Sequence, residues 1–173
     1  MASFPAEDHF FTAVNLNGTW YAVDTGYYGH AIPLSKRVIE RAEELGNVSY
    51  IVIYLDGGSF LELTQRYVPY DTIIIRVTYR GIPVVSACIS LKHKFRGGNF
   101  SIPGDKHYFY TDDNGIVVLH LGLPKYKREK VSHYDPYFLI YVNDKCTYHK
   151  VTSSGSHKTW HIHIELTELD ESH

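Results

Sequence analysis

From Ser49 onward, hydrophobic and polar residues alternate along the chain with a period of two. Over residues 72–80, Ile73, Ile75, Val77 and Tyr79 oppose Thr72, Ile74, Arg76, Thr78 and Arg80. Over residues 84–95, Val85, Ala87, Ile89 and Leu91 oppose Ser86, Cys88, Ser90, Lys92 and Lys94. Side chains two apart share one face of a strand, so each run predicts a strand with one buried face. Shorter β-like runs cover 19–28, 50–55, 60–68, 107–111, 116–121, 137–142, 146–152 and 158–167. Turn residues separate them, as in Asp56-Gly57-Gly58, Gly81-Ile82-Pro83 and Asp112-Asp113-Asn114-Gly115. One stretch breaks the rhythm. Residues 33–46 place Leu34, Val38, Ala42 and Leu45 on a helical stripe that stops at Gly46-Asn47.

About ten short strands joined in sequence, with one short helix after the first strand, predict an all-β domain. The connections favour an up-and-down antiparallel β-barrel of about eight to ten strands, because closure removes exposed sheet edges. The expected organisation is a single barrel domain over 1–173, with a leader segment at 1–14 and a frayed tail at 168–173.

Composition narrows the function. At 173 residues and 44% hydrophobic, the chain can bury a sizeable core. Net charge is −2 and no basic stripe runs through it, so no nucleic-acid partner is expected. No stretch is long enough to predict a membrane span. The N-terminus lacks the charged and apolar regions of a signal peptide. Sequons at Asn17-Gly18-Thr19, Asn47-Val48-Ser49 and Asn99-Phe100-Ser101 favour a secreted mature chain, with the cytosol as alternative. Cys88 and Cys146 are either one disulfide or two thiols.

Gly18-Thr19-Trp20-Tyr21 resembles the first signature of the lipocalin family, Gly-x-Trp. Tyr134-Asp135-Pro136-Tyr137 and the aromatic run behind it loosely resemble a later signature, seen in Tyr-rich form in invertebrate members. The family's late arginine has no counterpart in Trp160-His161-Ile162-His163-Ile164-Glu165-Leu166. The resemblance implies a calycin barrel around a cavity for a small hydrophobic or amphipathic ligand, with Trp20 closing the floor. It also implies a carrier or sequestering role, as a monomer or small homo-oligomer.

Within such a barrel, alternation places Asp24 on the face of Trp20, where a carboxylate suits a cationic amine. Glu62 is a second acidic candidate. Tyr79, Tyr108, Tyr110, Tyr137 and Tyr141 are candidate walls of an aromatic cup. His120 shares a face with Ile116 and Val118; the resemblance makes it a candidate contact to a tetrapyrrole, and otherwise it is a hydrogen-bonded core histidine. No resident cofactor is expected.

A different reading is a small-molecule enzyme, metal-assisted through His161 and His163 with His149 from the preceding strand. Against it, Trp160, Ile162, Ile164 and Leu166 form the apolar face of that segment and leave both histidines outside. No nucleophile elbow, phosphate loop or His-Glu-x-x-His motif occurs, so whether the protein is an enzyme stays open. A third reading is an interaction module, with outward tyrosines and the 122–135 loop contacting a protein. A filled interior beside an exposed aromatic patch would favour it.

Overall fold

A computed structural model of the chain describes residues 12–23, 29–45, 48, 50–55, 59–95, 98–103, 107–122 and 137–168. Strands β1 (Thr12–Leu16), β2 (Thr19–Val23) and β3 (Ile32–Pro33) lead into helix α1 (Leu34–Leu45). Strands β4 (Val52–Tyr54) and β5 (Phe60–Glu62) precede a single helical turn, α2 (Thr64–Tyr67). Then come β6 (Tyr70–Tyr79), β7 (Ile82–Pro83), β8 (Cys88–Phe95), β9 (Gly98–Ile102) and β10 (Phe109–Tyr110). The chain continues through β11 (Ile116–Gly122), β12 (Tyr137–Val142), β13 (Lys145–Val151) and β14 (Thr159–Leu166).

The clean alternation of 72–80 is there because β6 sits at the centre of a sheet ordered β11-β6-β14, with β7 also on β6. A second sheet runs β10-β8-β12-β13, with β9 also on β8. The apolar faces of the two sheets share one core. Ile73, Ile75, Val77, Leu119 and Leu121 meet Ile89, Leu91, Phe138, Ile140 and Val142, all essentially inaccessible to solvent. This is a two-layer sandwich whose interior is filled by branched and aromatic side chains. The predicted turn at 112–115 is built as its residues suggest. Asp112 Oδ1 accepts the backbone N–H groups of Asn114 and Ile116 at 2.9 and 2.8 Å. Gly115 has φ +70°, and a Cβ there would lie 2.5 Å from the Val77 carbonyl oxygen.

A smaller sheet, β1-β2-β3, packs with α1 around a second cluster of Ala22, Ile32, Leu34, Val38, Ile51 and Leu63. The β4–β5 hairpin joins the two clusters. Ile51 and Ile53 face the second, while Tyr50 packs on the first.

The β-rich, mainly antiparallel character agrees with the sequence pattern. A closed barrel does not form among the described residues: their pairings make four separate sheets. Moreover, β14 runs parallel to β6, with Trp160 opposite Ile73 and Ile164 opposite Val77. A hairpin step cannot make a parallel pair, so the chain crosses through the other sheet before returning. The expected leader is also partly structured, because Thr12–Leu16 pairs with Thr19–Val23 across Asn17-Gly18. The expected strand over 60–68 stops at Glu62, and α2 begins at Thr64. Glu168, first residue of the expected tail, pairs with Lys145 at 2.7 Å. Trp20 packs against the second cluster rather than on the floor of the main core.

Both cysteines are free. Cys146 lies opposite Tyr141 on one side of β12, while Cys88 exchanges hydrogen bonds with Asn143 on the other. A whole strand between them sets a separation of about 10 Å, beyond the reach of a disulfide. No described helix is long and apolar enough to cross a membrane.

Candidate functional site

Two of the predicted residues, distant in sequence, come together. Glu62 ends β5 and His120 lies on the outward face of β11. Glu62 Oε2 is 2.9 Å from His120 Nδ1. A carboxylate only accepts, so Nδ1 is the donor of this bond and Nε2 is the ring nitrogen left for another partner. The other carboxylate oxygen, Oε1, accepts the Thr64 N–H at 2.6 Å. Thr64 is wholly buried, and its hydroxyl accepts the Ile51 N–H at 3.0 Å. Glu62 is therefore aimed by the start of α2, and α2 is in turn tied to β4. The Glu62 and His120 side chains are 17% and 18% exposed, shielded yet reachable.

Tyr70 supplies an aromatic wall. Its ring meets the His120 ring edge-on at 5.0 Å and the His157 ring at 5.1 Å. His157 is placed by its backbone N–H, which donates to the Tyr70 carbonyl at 3.0 Å. Next to Tyr70, the fully buried Asp71 fixes the loop before β14. It accepts from the backbone N–H groups of Ser154, Ser156 and Lys158 at 2.8, 3.0 and 2.9 Å, and from the Ser154 hydroxyl at 2.9 Å. The Trp160 indole approaches to 3.4 Å. Burial alone would raise the Asp71 pKa, but these donors outweigh it and bring it down to about 2.

Four predicted wall tyrosines lie elsewhere. Tyr137 and Tyr141 are on the outer face of the second sheet, because Phe138, Ile140 and Val142 take the inner face. Tyr108 donates to Asp144, and Tyr110 is 58% exposed beside Cys88. Burial of the phenol and contact with neighbouring thiols or carboxylates raise the pKa values of Tyr108, Tyr110 and Tyr141. Tyr79 keeps the inward phase of β6 but closes it at the strand end, with the Arg80 guanidinium 5.1 Å from its ring centre. Asp24 lies outside the described residues.

The histidines of β14 face outward, as the apolar phase of that strand requires. His163 Nε2 contacts the Thr78 hydroxyl at 2.7 Å, and that hydroxyl also donates to Glu165. His149 instead lines a cleft of about 250 Å³ between β13 and β14, with Cys146, Ile164 and Leu166. The alternative His149, His161 and His163 set is thus not assembled, and no group of three metal-ligating side chains occurs among the described residues. Asp71 and Tyr70 escaped the sequence reading, since one aspartate at a strand start carries no spacing signal. An available clue was the Ser-Ser-Gly-Ser turn at 153–156, rich in hydrogen-bond donors.

No protein-family model matches the chain, and no characterised protein is significantly similar to it in sequence.

Proposed function

We propose that the protein binds and sequesters or carries a small amphipathic molecule at the joint between β5, α2 and β11. The observation that supports this most is the Glu62–His120 pair: the carboxylate holds Nδ1, and Nε2 has no protein partner among the described residues. An open imidazole nitrogen beside a carboxylate and an aromatic wall suits a ligand bearing an amine or hydroxyl on an apolar body. The lipocalin resemblance supports this ligand class through Gly18-Thr19-Trp20. The binding site proposed here is the hairpin joint, in place of the calyx that the resemblance implies. Secretion fits the sequon at Asn17, an exposed residue at the tip of the β1–β2 turn.

Native mass spectrometry of protein from its own source, followed by thermal-shift screening with amines, fatty acids and porphyrins, tests this reading. We expect a ligand whose stabilisation is lost in both Glu62→Gln and His120→Gln. A panel without any binder, or a binder indifferent to both substitutions, overturns it.

A further inference from the structure

The outer face of the second large sheet carries an arrangement that the Glu62–His120 site does not use. Along β12, Tyr137, Leu139 and Tyr141 share this face by alternation. Leu139 is the register partner of Lys92 on one side and of Lys150 on the other. The two lysines therefore lie in one row across three strands, with Cα atoms about 10 Å apart. Lys92 Nζ sits 4.3 Å from the Tyr141 ring centre, and Lys150 Nζ sits 4.7 Å from that of Tyr137. Neither ammonium has a carboxylate partner among the described residues. Tyr110 and Tyr148 extend the aromatic surface at 58% and 84% exposure. The described carboxylates nearby are gathered at the β12–β13 turn. There Asp144 accepts from Tyr108, and Glu168 is neutralised by Lys145.

We propose that this face binds an acidic polysaccharide, with sulfate or carboxylate groups on Lys92 and Lys150 and sugar rings against the tyrosines. Three features favour that partner. Among the described side chains the cations of this face are two, on a chain of net charge −2 through which no basic stripe runs, unlike the continuous stripe that nucleic acid requires. Lysine is depleted from the centres of protein–protein interfaces, yet here two flank the middle strand. The exposed rings are tyrosines, whose hydroxyls match a polyhydroxylated guest better than the acyl region of a bilayer. Charge complementarity with a regularly spaced polyanion uses both lysines at once.

The test is fluorescence anisotropy of the whole protein with a labelled heparin oligosaccharide at low salt, with N-desulfated oligosaccharide and oligo(dT) as competitors. Salt-sensitive binding is expected, and Lys92→Gln/Lys150→Gln should weaken it by about tenfold. Tyr148→Ser should weaken it by about threefold. The charge-matched control Lys36→Gln/Lys158→Gln should bind like the parent. Circular dichroism of each variant confirms that the sheet is intact. Absence of binding, equal loss in the control, or stronger competition by oligo(dT) than by unlabelled heparin overturns the assignment. So does binding indifferent to desulfation, or retention of full affinity in the Lys92/Lys150 variant.

Discussion

The two lateral sides of the sandwich are finished in opposite ways. On the side where β11 faces β9 and β10, the β4–β5 hairpin and α2 lie over the gap. Phe60 packs edge-on to Phe109 at 5.4 Å, and Tyr50 does the same at 6.2 Å. Tyr54 donates to the Pro103 carbonyl at 2.6 Å, and Glu62 locks onto His120. On the other side, β13 and β14 end their sheets with no further strand paired to them among the described residues, and a cleft remains between them. That side is guarded rather than covered: β13 is bulged at Tyr148, which has φ +60°, and Lys145, Glu165 and Glu168 add charge. Bulges and charges deter edge pairing, whereas a cover removes the edge. A covered side can hold a shielded polar pair. A guarded side keeps its groups in water.

The largest loss is expected at Asp71, beneath the loop that leads into β14. Asp71→Ala removes a buried acceptor, strands several partly buried donors and should cost about 3 kcal/mol in urea unfolding. Its depressed pKa adds a sign. The contribution is complete above the ordinary carboxylate pKa of 3.8 and disappears as the pH falls toward about 2. Acid titration of Asp71→Ala should therefore be flatter than that of the parent over this window. Equal slopes would show that Asp71 is not the group responsible.

Next comes the cover itself. Phe60→Ala removes a ring packed between Phe109 and His107, and should lower stability by about 2 kcal/mol. If the hairpin were only draped on the sandwich, unfolding midpoints would barely move. Tyr50 packs in the same cover, against Phe109. Its hydroxyl is buried without a partner among the described residues, and burial, aided by the negative charge of Glu62, raises its pKa. Tyr50→Phe should be neutral or stabilising by up to about 1 kcal/mol. A clear loss in calorimetry would mean that the hydroxyl is satisfied in solution. A change of similar size belongs to the guarded side. Tyr148→Val puts a β-branched residue at φ +60° and should cost about 1 kcal/mol, and it should increase self-association in light scattering, because it weakens the bulge.

The candidate site was half legible. His120 stood out as a polar residue in an otherwise apolar β-like run, and Glu62 as an acid on the face of Phe60 and Thr64. Their pairing, 58 residues apart, could not be read from either neighbourhood. The tyrosines show the complementary failure. Alternation separated Tyr137 and Tyr141 from Phe138 and Ile140 without saying which set is inside, and the aromatic cup required the wrong set.

Local order is written along the chain: strand phase, the apolar stripe that starts α1, the turn at 112–115, and the outward placement of His161 and His163. These depend on contacts within a few residues and on a periodicity that the chain carries everywhere. The tertiary structure alone decided that β14 lies parallel to β6, that β12 separates the two thiols, and that the interior is packed. It also decided that Glu62 meets His120. Those outcomes turn on which long-range surfaces bury the most apolar area against each other, and no local window contains both partners.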